Sequence, residues 1–182
     1  MAHEALRSRR RQDPELLTRD LAHRGPPGQR QHGQPSGWPI SPRPAGPRLR
    51  AGHESVRDAI TDPGTTLLDI RAAEEYAGQR FWPSSGLEPG GHAGHVPSAV
   101  RQPLDGIYDS RGAFLADADL RGLFRAADLD GDNPLITYST IGGRASTAWF
   151  VLTHLLGREN VRVYDGSWAE WGRMPDTPVE TV

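Results

Sequence analysis

PLITYSTIGGRASTAWFVLTHLL, residues 134–156, is the stretch that decides the fold. It opens with Leu135-Ile136-Thr137-Tyr138, a short apolar run rich in the β-branched and aromatic residues that suit a buried strand. Pro134 and the Asp-Gly-Asp-Asn cluster before it mark the strand's start. Ala145, Ala148, Trp149, Leu152, Leu155 and Leu156 then recur at the i, i+3, i+4, i+7 spacing of one helix face, and Gly157 stands where a helix closes. Six residues, Ser139 to Arg144, join strand to helix. Gly142 and Gly143 can adopt backbone angles closed to other residues, which lets consecutive N–H groups share one concavity. The positive end of the following helix faces the same spot, and Arg144 adds a forked cation. Ser139 sits at the carboxyl end of the strand, where open α/β sheets hold their ligands. Two readings fit this shape: an anion cradle, and a tight connection whose glycines serve packing.

The flanking sequence carries the same alternation. Thr65–Ile70 reads as a buried strand, Val100–Leu104 as a second and Asn160–Tyr164 (NVRVY) as the last. Glu54–Ile60, the single turn Ala73–Tyr76 and Ala118–Ala127 read as helices, the last with Leu120, Leu123 and Phe124 inward. Strands alternating with helices at short intervals predict an α/β fold, a parallel sheet covered by helices on both faces. Asp128 to Asp132 has the look of a calcium loop. An EF-hand needs Gly at its sixth place and Glu at its twelfth, and here these are Asn133 and Ser139. His92 and His95 lie in a glycine-rich loop without further ligands, so no metal is expected.

The sequence TYSTIGGRASTAWFVLTHLLG, followed by VRVYDGSWAEWG, resembles the active-site segment of the rhodanese family of sulfurtransferases. It is most similar to the second, catalytic domain of the tandem-domain thiosulfate sulfurtransferases. Asp69-Ile70-Arg71 with Glu74-Glu75-Tyr76, and Gly94-His95-Val96-Pro97, match further family signatures in the same order. The resemblance covers about residues 53–180 and implies a rhodanese-like domain. In that family the first loop residue is a cysteine that carries a persulfide, and here it is Ser139. The chain has no cysteine.

By that resemblance the functional loop comprises Ser139, at the nucleophile's position, and the anion-binding residues Thr140, Ile141, Gly142, Gly143 and Arg144. Asp69 and Arg71 are implied as an ion pair bracing the site, and Trp168 as its wall. The partners implied are a small anionic sulfur donor such as thiosulfate and a thiophilic acceptor such as cyanide, with no cofactor. A serine hydroxyl is far less acidic than a thiol and forms no sulfane-carrying species, so sulfurtransferase turnover is not expected. A non-catalytic module that binds an anion or a partner is the alternative. Ser139 to Arg144 has the four-residue spacing of the sulfur-transfer loop; the related phosphatases have one more residue. Some thiosulfate-type members carry a substrate-binding Arg near the position of Glu75 and a basic residue at that of Ile141, and both differences leave the sulfur donor open.

Net charge is −2, unevenly spread: residues 1–50 hold ten Arg against four acids, and 51–182 hold eleven against nineteen. All the basic side chains are Arg. Residues 24–50 are crowded with Pro, Gly, Gln and Arg without an apolar period, so residues 1–51 are expected to form a disordered basic tail and 52–182 the domain. A short helix over Glu15–Ala22 would bury little. The arginines at 9–11 lack the apolar segment of an export signal, and Glu4, Asp13 and Glu15 interrupt the basic character. Neither membrane nor nucleic-acid partners are expected, and a cytoplasmic location is. The tail stands where tandem relatives have their first domain, so a lost first domain is a further expectation.

Overall fold

The computed structural model describes residues 49–83, 86–128 and 131–182. The expected tail and its helix over Glu15–Ala22 therefore lie outside the described residues, except for Leu49 to Ala51. Five strands form one sheet: β1 Arg50–Ala51, β2 Thr66–Asp69, β3 Val100–Arg101, β4 Leu135–Tyr138 and β5 Val161–Tyr164, in the order β1-β5-β4-β2-β3. Every neighbouring pair is parallel. Between the strands run α1 His53–Ala59, α2 Ala73–Tyr76, α3 Asp117–Leu123 and α4 Gly143–Phe150; α5 Ser167–Trp171 follows β5.

The central strand β4 is buried at all four positions, as its composition predicts. Its side chains divide between two cores by the period of two that a strand imposes. Ile136 and Tyr138 join Val56 and Ala59 of α1 and Trp168 and Trp171 of α5 on one face. Leu135 joins Leu120 of α3 and Ala148 of α4 on the other. Leu67 and Leu68 of β2 split the same way. Both faces of the sheet are thus covered, and the expected parallel α/β fold is the one observed.

Register sets where the site falls. Asp69 pairs with Tyr138, and Thr137 with Val163, so the carboxyl ends of β2, β4 and β5 lie side by side. The Ile70 N–H reaches the Tyr138 carbonyl at 2.9 Å and extends that alignment by one residue. Three connections therefore emerge together: residues 70–72, 139–142 and 165–166.

Four details differ from the periodicity. Leu123 is exposed, because α3 stops there and Phe124 turns away at φ −91°, ψ 30° before a 3-10 turn over Arg125–Ala127. Leu155 is also partly exposed. The end of α4 widens into a π-helix over Val151–Leu155, whose i→i+5 bond from Leu156 N–H to Val151 O adds a residue and rotates Leu155 off the inner face. Gly157, at φ +72°, closes this helix. The strand expected over Val100–Leu104 is reduced to Val100–Arg101. Finally, Arg50–Ala51, ahead of the expected boundary at Gly52, forms the edge strand against β5.

Candidate functional site

The loop between β4 and α4 is held by the chain that follows β5. Trp168 N–H donates to the Ser139 carbonyl at 2.9 Å, and Ala169 N–H to the Thr140 carbonyl at 2.8 Å. Ser139 N–H donates to Ser167 Oγ at 3.0 Å, and that hydroxyl donates to the Tyr164 carbonyl at 2.9 Å. In a trans peptide the C=O and the next N–H point in opposite directions. With the carbonyls of 139 and 140 drawn toward α5, the N–H groups of Thr140 and Ile141 must face away from it. Among the described residues, no acceptor takes an N–H from Thr140 through Ala145. These are six consecutive donors at the N-terminus of α4, where the helix dipole is positive.

Gly142 makes that turn at φ +84°, and a Cβ there would lie 2.8 Å from both the carbonyl and a carboxylate oxygen of Asp165. Gly143 differs from the expectation. It has no positive φ, and a Cβ on it would meet nothing within 4 Å, so only one of the two glycines is required by the backbone. Ser139 is buried and, among the described residues, its Oγ has no hydrogen-bond partner. A buried hydroxyl without a partner is uncommon in folded proteins, and this one belongs to the residue that precedes the run of unpaired amides. Thr140 is buried as well, whereas Ile141 stands 69% exposed at the crest.

Arg144 does not stand free. Its Nη1 donates to Glu75 Oε2 at 2.9 Å and its Nη2 to Oε1 at 2.8 Å, the fork-to-fork geometry of a strong Arg–carboxylate pair. Nη2 also reaches Thr140 Oγ1 at 2.6 Å, while that hydroxyl donates to Glu75 Oε1 at 2.5 Å. Ala72 N–H caps Oε2 at 3.1 Å. Glu75 is completely buried. Burial by itself would raise its pKa, but the hydrogen bonds from Arg144 and Thr140 outweigh it and hold the carboxyl below its ordinary value. The permanent charge expected of Arg144 is therefore matched by a carboxylate, a pairing that sequence reasoning missed although it marked the position of Glu75. The signals available were an acid in the Glu-Glu-Tyr turn and its place where some relatives carry an Arg.

Asp69 and Arg71 form an ion pair with no exposed side-chain surface. Arg71 Nε lies 2.9 Å from Asp69 Oδ1 and Nη2 lies 2.6 Å from Oδ2; Nη2 also donates to the Gly94 carbonyl at 2.7 Å. Burial alone would lower the Arg71 pKa; Asp69 overrides it and raises it instead. The guanidinium carbon lies 4.4 Å from the Trp168 ring centre, in cation–π range, and Trp168 Nε1 donates to the His92 carbonyl at 3.1 Å. Trp168 is fully buried, so it supports the loop from beneath through its own backbone N–H. His95 is buried too, stacked on Tyr76 at 3.7 Å with Nδ1 2.9 Å from the Tyr76 carbonyl.

The structure thus brings Ser139, Thr140, Gly142, Gly143 and Arg144 to one place, with Trp168 and the Asp69–Arg71 pair behind them. Two cavities of about 560 and 530 Å³ lie at the opposite end of the strands, around Pro134 and Val161 and around Thr65 and Ser98. Among the described residues, no helix is long and apolar enough to cross a membrane.

A family model described as "Rhodanese-like domain" matches residues 53–174. A protein named "Putative thiosulfate sulfurtransferase" from Haloferax volcanii is 39% identical over 132 residues, 72% of this chain and 46% of that protein. The protein of that name from Saccharopolyspora erythraea is 40% identical over 133 residues, 72% of this chain and 47% of that protein. Another, SseA from Mycobacterium bovis, is 40% identical over 145 residues, 79% of this chain and 47% of that protein. The chain spans about half the length of the curated relatives it matches. Among solved structures, an anaerobic ergothioneine biosynthesis enzyme from Chlorobium limicola in complex with trimethyl histidine superposes with a TM-score of 0.63. It is 24% identical, over 76% of this chain and 33% of that one, a likeness of fold.

Proposed function

The chain belongs to the rhodanese-like domain family, with relatives named for thiosulfate sulfurtransfer, and from that premise we propose that it is a sulfurtransferase domain whose loop binds a small anion but transfers no sulfur. The observation that carries this reading is the run of six N–H groups, Thr140 to Ala145, without an acceptor among the described residues, next in the chain to the buried and unpartnered Ser139 Oγ. Such a ring stabilises negative charge through fixed dipoles. In sulfur transfer a thiolate at position 139 attacks the outer sulfur of thiosulfate, the S–S bond breaks and sulfite leaves. The resulting persulfide anion then gives its outer sulfur to an acceptor; with cyanide the product is thiocyanate. Serine supplies neither the thiolate nor a sulfane carrier, so the native chain is expected to stop at binding.

Supporting this assignment, the loop has the family's four-residue spacing, and its carbonyls are fixed toward α5 before any ligand arrives. Gly142 and Asp165 shape the turn, and the Asp69–Arg71 pair with Trp168 holds the ground beneath it. The test is a titration of ¹⁵N-labelled protein with thiosulfate at low salt. Shifts concentrated in the amides of residues 140–145, with no thiocyanate formed from cyanide, are expected. Unmoved loop amides would remove the binding reading; thiocyanate production by the native chain would remove the claim that Ser139 blocks transfer.

A further inference from the structure

We propose that Glu75 sets the charge selectivity of this loop, leaving a cradle of partial charges that favours singly charged sulfur anions over dianions such as thiosulfate. The inference rests on the reading that residues 139–144 bind an anion. Three donors converge on the Glu75 carboxylate from the loop itself: Nη1 and Nη2 of Arg144 and the hydroxyl of Thr140. The side chain that could otherwise offer a full positive charge to a ligand is turned onto a buried acid and fixed there in two places.

Two further charged pairs lie near the loop. Arg71 is matched by Asp69 inside the core. Asp165, whose carboxylate lies beside Gly142, has Arg50 as its partner at 2.6 Å, with both side chains more than half exposed. The crest position holds the apolar Ile141. No uncompensated cation remains among Glu75, Arg144, Asp69, Arg71, Asp165 and Arg50. Attraction then comes from the six N–H groups and the α4 terminus, worth roughly half an elementary charge at a helix end. That suits one negative charge. A second charge on the ligand finds no unpaired cation among these three pairs, and the carboxylates of Glu75 and Asp165 both flank the loop.

The same geometry assigns Glu75 a specific part. It is a positioning residue, because it acts through Arg144 and Thr140 and not by touching the anion. Exchanging it for the neutral isostere releases the Arg144 charge without removing the side chain. At a separation of about 8 Å and an effective dielectric constant of about 40, one unit charge changes affinity about fivefold for each charge on the ligand. The ratio of thiosulfate to thiocyanate affinity should therefore rise about fivefold.

The experiment titrates the full chain with sodium thiocyanate and with sodium thiosulfate at matched ionic strength, following the loop amides. The native chain should bind thiocyanate at least as tightly as thiosulfate. Glu75→Gln should move the thiosulfate-to-thiocyanate ratio about fivefold toward thiosulfate and steepen its decline with salt. Arg144→Gln should shift the ratio the other way, and the double variant Glu75→Gln/Arg144→Gln should return it to the native value. The double variant keeps the net charge, so the test survives if the first single variant folds poorly. A native preference for thiosulfate, or a ratio unchanged across the three variants, overturns the role of Glu75 while leaving anion binding in place. Silence from both anions in every protein instead removes the binding reading on which the inference stands.

Discussion

Replacing Gly142 by Ala separates the backbone requirement of this loop from generic glycine effects. Two costs can be worked from the structure. At φ +84° an L-residue sits in the left-handed region, which costs about 1–2 kcal/mol relative to Gly. The new Cβ would also stand 2.8 Å from the Asp165 carbonyl oxygen, a backbone atom fixed between β5 and α5. Relieving that contact requires a shift of the loop, an overpacking cost of about 1 kcal/mol or more. Reduced freedom of the unfolded chain returns about 0.4–1 kcal/mol. A net loss of about 2 kcal/mol is expected, lowering Tm by about 4–8 °C for a chain of this size. Gly143→Ala is the matched control, since its Cβ enters open space on a helix; it should be neutral or stabilising by about 0.5 kcal/mol. Urea unfolding followed by tryptophan fluorescence measures both. Equal losses at 142 and 143, or an unchanged midpoint for Gly142→Ala, would refute the turn geometry described above.

Two other stability predictions follow from buried charge. Arg71→Met leaves Asp69 buried without its partner and should cost about 3–5 kcal/mol, with part of the loss recovered in Asp69→Asn/Arg71→Met; urea midpoints of the three variants check this. Glu75 predicts an acid limb. Its pKa is held below the ordinary 4.5 in the folded chain, so its contribution is complete above pH 4.5 and is lost as pH falls through the lower folded value. Denaturation profiles against pH should show that fall in the native chain and a shallower one in Glu75→Gln; identical slopes would contradict it.

The parts of this site that were legible in the sequence are those encoded locally. The β-branched run Leu135–Tyr138, the turn at Gly142 and the closing Gly157 each follow from neighbouring residues, and the structure has them where the sequence places them. The Asp69–Arg71 pair spans two positions of the Asp-x-Arg signature, and the resemblance implied the contact that the structure forms. The Glu75–Arg144 pair spans 69 positions and forms only because β2 and β4 are adjacent in the sheet. No local pattern contains that adjacency. The same holds for the grip of Trp168 and Ala169 on the loop carbonyls, made by backbone atoms whose side chains say nothing of it. The two-residue strand β1 was hidden for a different reason. Two residues are too few to show a period, and its pairing depends on β5. The π-helix at Val151–Leu155 escaped because its apolar residues also satisfy the ordinary helical period.

The central claim, that this loop is a sulfur-transfer cradle without its nucleophilic sulfur, is tested most directly by Ser139→Cys. Oxygen becomes a slightly larger sulfur, and because the chain has no cysteine of its own, every thiol signal belongs to position 139. The unpaired N–H groups and the α4 terminus should favour the thiolate and place its pKa below the ordinary value of about 8.5. Alkylation rate against pH gives that pKa, and thiocyanate formed from cyanide in the presence of a sulfane donor gives turnover. The account predicts a depressed thiol pKa together with measurable thiocyanate, absent from the native chain. A folded variant whose thiol titrates like free cysteine and forms no thiocyanate with any sulfane donor would contradict it.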